Sequence, residues 1–335
     1  MKSYDASLGA RVLVETCLNV KPCENVLVVT DTNLVELAEL LTIVARGKGA
    51  EVTLSTITPR DAPGVEPPPP VSAAMKTADI VMMLTTYSLS PSIARLEAQD
   101  AGARILSLEG YNYDILVSEA LRANFSEIKP IVDEVAMKMT NADEVDITSD
   151  IGTDISIKLG ERRAHALHNI CHEPGTMGAP PDIEAYVAPI EDTAQGVIYV
   201  DGAIILPEFG LIDEPVKLTF ESGNVIKIEG GCEAKRFRNL LASYHDPEMY
   251  RLAELGIGLN PNAMLVGIPL IDEGVLGTAH IALGLNYTFG GTIKNAKAHI
   301  DCVFRTPTIK LDGETLMRKG EFTHTKHSSF QFVNA

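Results

Sequence analysis

The sequence predicts an α/β domain over residues 1–143, built on an open parallel sheet with helices on both faces, and a β-rich domain over residues 144–335 with antiparallel strands and a metal site. Three observations carry this reading. Up to about Asn141, short β-branched runs alternate with longer amphipathic ones. After Asp143, polar and apolar residues alternate one by one. Within that second texture lies His299-Ile300-Asp301, where period-two alternation sends an imidazole and a carboxylate out of one face of a strand. Two such donors aimed into one space are how a chain presents ligands to a metal ion.

The first strand is expected at Asn25–Thr30, followed by a helix from Leu34 to Lys48. Further strands are expected at Glu51–Thr56, Asp79–Leu84 and Arg104–Leu108, with a helix from Ser92 to Ala101 before the last. Strand, helix and strand at this spacing imply right-handed βαβ units. The turn after the first strand, Asp31-Thr32-Asn33, lacks the glycines of a dinucleotide fingerprint. Pro67 to Pro70 reads as a rigid extended connector. Beyond residue 143, the runs 146–149, 154–158, 196–200, 216–220 and 225–228 alternate as half-buried antiparallel strands do. Ser222-Gly223-Asn224 supplies a turn between the last two, and a helix is expected from Glu233 to Ala242.

Composition narrows the function. The 335 residues carry 45 acidic against 28 basic side chains, a formal net charge of −17. That disfavours nucleic-acid partners, whose phosphates require clustered Lys and Arg. The five cysteines are scattered, with no CxxC pair, so neither a disulfide scaffold nor a cysteine zinc site is expected. Cys302 follows Asp301 and is expected to face the core. No secretory core or membrane-length apolar run is present, so a cytoplasmic location without membrane partners is expected.

Four further residues join His299 and Asp301. Glu184 lies in a strand-like run after Pro180-Pro181-Asp182. Glu254 lies in the apolar stretch Leu252 to Gly258, where a lone carboxylate is costly unless paired or ligated. His280 follows the small residues Gly277, Thr278 and Ala279, and Tyr287 comes seven residues later. Two histidines, three carboxylates and a tyrosine are enough to hold two divalent ions. The bland readings are a satisfied core histidine, carboxylates paired with Arg163 or Arg251, and a core tyrosine. His165, His168 and His172 form a separate cluster, read as a loop lining the site or a solvated segment.

Resemblance bears on this choice. Glu184-Ala185-Tyr186-Val187-Ala188-Pro189, Leu252-Ala253-Glu254, His280 to Tyr287 and His299-Ile300-Asp301 resemble the motifs of the thermophilic aminopeptidase family, the aminopeptidase T and aminopeptidase S group. The resemblance covers roughly residues 145–312. It implies an aminopeptidase T-like domain, a homodimer, and two zinc or cobalt ions (manganese is also compatible) on Glu184, Glu254, His280, Tyr287, His299 and Asp301. Departures lie in the compact segment between Glu254 and His280 and in His245-Asp246-Pro247-Glu248. The chain is also similar to the 2,5-dihydroxypyridine dioxygenases, in Glu233-Ala234, His245 to Tyr250, Gly256 to Pro261 and Leu311-Asp312. That group is implied to use one Fe(II) on two histidines and an aspartate. His299 and Asp301 match one of each, whereas Glu254 stands at the other histidine position and His280 where that group has an aromatic residue. Glu173, in Glu173-Pro174-Gly175, resembles an acidic loop near the dioxygenase pocket and is a candidate substrate contact.

The leading expectation is a metal-dependent hydrolase of an amide bond, acting on a short peptide or on a small amide, cyclic ones included. Metal ions would lower the pKa of a bound water towards roughly 7. Glu254 would shuttle its proton, and Tyr287 would support the tetrahedral intermediate. The second reading is a mononuclear Fe(II) ring-cleaving dioxygenase of a hydroxypyridine-type substrate. A third, a binding protein with a structural metal, is disfavoured because structural sites are closed.

Overall fold

The computed structural model describes residues 2–206 and 208–323, so the end of the expected C-terminal domain, 324–335, lies outside the described residues. The chain divides into two units, one of residues 1–129 with 168–181 and the other of 130–167 with 182–335.

In the first unit, five parallel strands are ordered Glu51–Ile57, Asn25–Asp31, Ile80–Leu84, Arg104–Ser107 and Met177–Gly178. Ile80–Leu84 is buried at every position, as a parallel strand covered on both faces requires. Its side chains pack with Leu27, Val29, Met75 and Ile105 in one apolar cluster. The helices Val35–Gly47 and Ile93–Asp100 stand where the amphipathic runs placed them. Ser92 caps the second, its side chain accepting from the Arg95 amide at 3.2 Å.

The proline run departs from the extended connector expected of it. Pro69 and Pro70 open a helix, Pro69–Thr77, with proline in its first turn. Proline's missing amide costs nothing there, and its fixed φ suits the helix.

The second unit holds two sheets. One has eight strands, in the order Asn224–Glu229, Val216–Glu221, Gln195–Val200, Asp154–Lys158, Glu144–Thr148, Thr308–Leu311, Glu314–Arg318 and Glu321–Phe322. Its first two strands meet at Ser222 and Gly223, with φ of 49° and 75°. Two consecutive positive φ values are what the favoured two-residue hairpin turn demands. The other sheet has seven strands, in the order Gly210–Leu211, Ala203–Ile204, His299–Arg305, Thr278–Gly284, Leu252–Gly258, Glu184–Val187 and His165–Leu167. Every adjacent pair in it is antiparallel. Among the described residues, no helix is long and apolar enough to cross a membrane.

Candidate metal centre

Register in the seven-stranded sheet decides which side chains meet. Glu184 lies opposite Gly258, Tyr186 opposite Gly256, and Gly256 opposite His280. Ala282 is shared between Glu254 and Asp301, and Gly284 faces His299. Directly opposed residues project from the same face of a sheet. One face therefore carries Glu184, Glu254, His280, His299 and Asp301, interleaved with glycine and alanine that leave room between them. Gly256 is held to that size: a Cβ there would lie 2.1 Å from His280 Nε2 and 2.9 Å from Glu184 Oε2.

The donor atoms converge into two trios that share Glu254. In one, His299 Nε2 lies 3.2 Å from Glu254 Oε2 and 3.3 Å from Asp301 Oδ1. In the other, His280 Nε2 lies 3.2 Å from Glu184 Oε2 and 3.6 Å from Glu254 Oε1. His280 Nε2 is also 3.9 Å from Asp301 Oδ1. Such separations are the edges of a coordination polyhedron with bonds of roughly 2.0–2.2 Å. His299 Nδ1 lies 2.6 Å from the Leu285 carbonyl, which can only accept. Nδ1 therefore carries the proton, and Nε2 is free to bind a metal.

The electrostatics agree. Glu184 Oε2, Asp301 Oδ1 and His280 Nδ1 are buried without hydrogen-bond partners. Buried acceptors left without donors are costly, and a cation between the carboxylates would relieve Glu184 Oε2 and Asp301 Oδ1; His280 faces that space with Nε2, so its Nδ1 lies outside this relief. Burial pushes Glu254 upward, but hydrogen bonds from His280 and His299 outweigh it and hold its pKa at about 2. Burial alone would depress the two imidazoles; Glu184 beside His280 and Asp301 beside His299 instead raise both well above the ordinary histidine value. Glu184 is raised by burial, against the pull of His280. The donor set thus suits a divalent metal.

Two members of this neighbourhood escaped the sequence reading. Asp182 and Glu273 are held well above the usual carboxylate range, by burial first and then by Glu184 and Asp301 respectively. Asp182 stands two residues before Glu184, a spacing visible in the sequence. Glu273 lies in a loop 19 residues from Glu254, and only folding brings it close.

Tyr287 is half-exposed on the short turn Tyr287–Phe289, with Lys294 Nζ 4.6 Å above its ring. Glu173 is exposed in the first unit, its carbonyl accepting from the Thr176 hydroxyl at 2.6 Å. The three clustered histidines go separate ways. His165 donates to the Phe289 carbonyl at 3.1 Å, His168 accepts from the Ile170 amide, and His172 donates to the Thr16 carbonyl. Arg251 pairs with Asp192 and Glu248, so it is no partner for Glu254. Cys302 is buried, as expected.

Comparison with known proteins corrects the leading expectation. The profile of the family described as NicX, 2,5-dihydroxypyridine 5,6-dioxygenase, matches residues 11–324. A 2,5-dihydroxypyridine 5,6-dioxygenase of Pseudomonas putida is 27% identical over 276 residues, covering 76% of this chain and 74% of that one. The structure of 2,5-dihydroxypyridine dioxygenase from Pseudomonas putida KT2440 superposes with a TM-score of 0.85 at 21% identity, over 98% of this chain and 99% of that one. Wild-type AmpT from Thermus thermophilus shares the fold at a TM-score of 0.70 and 16% identity, over 97% and 100% of the two chains. The aminopeptidase resemblance therefore reports a shared mixed α/β fold. The expectation of a hydrolase, an aminopeptidase or a metalloprotease is overturned by the family match, and zinc or cobalt loses its support with it. This chain belongs to the 2,5-dihydroxypyridine 5,6-dioxygenase family.

Proposed function

We propose that this protein is an Fe(II)-dependent dioxygenase that opens the ring of a hydroxypyridine-type substrate. The observation that carries the reading is the trio Glu254, His299 and Asp301: its donor atoms converge, both carboxylates are buried, and Asp301 Oδ1 lacks a hydrogen-bond partner, in a chain of this family. Non-haem Fe(II) oxygenases commonly use two histidines and one carboxylate with open positions; here His299 and Asp301 supply one of each, and Glu254 stands in place of the second histidine. Bound there, Fe(II) supplies oxygen activation, with both atoms of O₂ entering the opened ring and no external reductant consumed.

In this reading, Glu254, His299 and Asp301 hold the metal. His299 is oriented by its bond to the Leu285 carbonyl. His280, itself held by Glu184, braces Glu254 from its other oxygen, fixing the carboxylate that stands between the two imidazoles. Burial raises the carboxyls of Asp182 and Glu273 well above the usual carboxylate range, which favours their neutral forms beside the centre. The partner is a small molecule.

The test is anaerobic loading with Fe(II), then oxygen uptake with 2,5-dihydroxypyridine. The expected result is about one iron per chain and one O₂ consumed per substrate. Iron-loaded protein that consumes no oxygen with hydroxypyridines, while an Asp301→Ala control retains full iron, would overturn the reading.

A further inference from the structure

The metal-facing side of the seven-stranded sheet ends in a row of rings. Tyr186 projects from the same face as Glu184, two residues before it, and its cross-strand neighbours are Gly256 and His165. The His165 imidazole stacks on Tyr186, with centroids 5.1 Å apart and planes at 22°. Phe289 meets Tyr186 edge-on at 5.6 Å and His299 edge-on at 5.7 Å. The row therefore runs from the sheet edge to a candidate ligand of the metal. Tyr186 and Phe289 are only partly buried, so neither ring is a finished piece of core.

Access to the centre lies on the same side. The side chains of Glu184, Glu254 and His280 are at most 8% exposed, whereas His299 is 27% exposed. His299 is thus where the trio opens, and Phe289 stands beside it.

The loop that carries Phe289 is pinned. Buried Asn286 donates to the Ala253 carbonyl and to Glu191, each at 3.2 Å, and accepts from the Ile293 amide at 2.9 Å. Glu191 accepts from the Thr292 amide at 2.6 Å and pairs with Arg162 at 2.8 Å. Arg162 also donates to the Gly290 carbonyl, and His165 to that of Phe289. A ring held this way before ligand arrives loses little freedom on binding.

We propose that Phe289 and Tyr186 form a preorganised stacking wall at the His299 side of the metal centre, where the planar ring of the substrate docks, and that this wall makes the site select aromatic over saturated rings. The inference rests on the dioxygenase reading for the identity of the ring. Edge-to-face and offset aromatic contacts contribute about 0.5–1.5 kcal/mol each, or roughly two- to twelvefold in affinity.

The experiment uses iron-loaded full-length protein under nitrogen, titrated calorimetrically with 2,5-dihydroxypyridine and with the saturated lactam 2-piperidone. Steady-state oxygen uptake is measured in parallel. The wild type is expected to favour the aromatic ring at least tenfold. Phe289→Leu and, independently, Tyr186→Leu should weaken aromatic binding and raise KM about three- to tenfold. Iron content should stay within twofold, and Phe289→Tyr should restore KM. A purely structural role for the wall predicts lost iron or lower Tm in both leucine variants with no rescue, and that result overturns the proposal. So does unchanged affinity in both, or equal binding of the two probes. Aromatic binding that is wall-dependent but unaccompanied by oxygen uptake would sink the dioxygenase reading and leave the wall standing.

Discussion

The strands Ile80–Leu84 and Leu252–Gly258 are both buried along their whole length, yet they fill that burial with different chemistry. The first is apolar at every position and packs into the core of the first unit. The second places Glu254 among Leu252, Ala253, Leu255 and Ile257, and its antiparallel neighbour places His280 among Ile281, Ala282 and Leu283. Burying an isolated carboxylate costs several kcal/mol. Such a residue persists because the sheet aims it at imidazoles and other carboxylates that share the same space. Burial serves stability in one strand and holds a charged centre together in the other.

The sharpest way to break this comparison is Gly256→Ala. The new Cβ would occupy the space of His280 Nε2 and crowd Glu184. His280 would lose its hold on Glu254, and iron affinity should fall about 10–100-fold, the usual cost of a disturbed outer shell. Metal titration of the folded variant checks it; unchanged affinity would show that the glycine gap is irrelevant to the centre.

Met82→Ala should do the reverse. Met82 is fully buried in the parallel sheet. Its truncation is expected to cost about 2–5 kcal/mol of unfolding free energy while leaving iron stoichiometry untouched. Denaturant titration and metal analysis on one preparation separate the two effects. Loss of iron from the folded variant would show that the strands do not divide the work this way.

A smaller effect concerns pH in metal-free protein. His280 and His299 titrate higher in the folded chain than in the unfolded one, so their contribution is complete below about 6.5 and is lost as pH climbs through the raised values. The raised carboxyls Asp182, Glu184 and Glu273 act in the same direction, from their unfolded values near about 4 upward. Glu254 acts oppositely: its contribution is present above about 4.3 and is lost only as pH falls towards about 2. The Tm of the metal-free protein should therefore fall by at least about 3 °C between about pH 6 and pH 9, and metal should flatten the profile. A Tm that rises over that interval would contradict the charge assignment.

Much of the fold was legible because its signals are local. β-branched runs and amphipathic spacing placed the parallel strands and their helices within a residue or two. Alternation placed five of the antiparallel strands, all in the eight-stranded sheet, and the Ser222-Gly223 turn. Pro69 was misread because proline in a first helical turn and proline in an extended segment share the same φ. Nothing local marks 168–181 for the first unit, since the strand it contributes is two residues long.

The candidate centre divides in the same manner. His299 and Asp301 sit two apart on one strand, so the sequence alone put them on one face. Glu184, Glu254 and His280 stood out by their local settings, resemblance to a hydrolase then joined them in one ligand set, and those motifs follow the shared sheet more closely than they follow the reaction. What the sequence determined by itself was the set of elements and the residue types able to bind a metal, because periodicity and side-chain chemistry are properties of short segments. What only the tertiary structure decided was the register that closes four donors around Glu254 and draws in Asp182, Glu273 and the Phe289–Tyr186 wall. Those are long-range distances, set by strands that pair across tens of residues, and no window of sequence contains them.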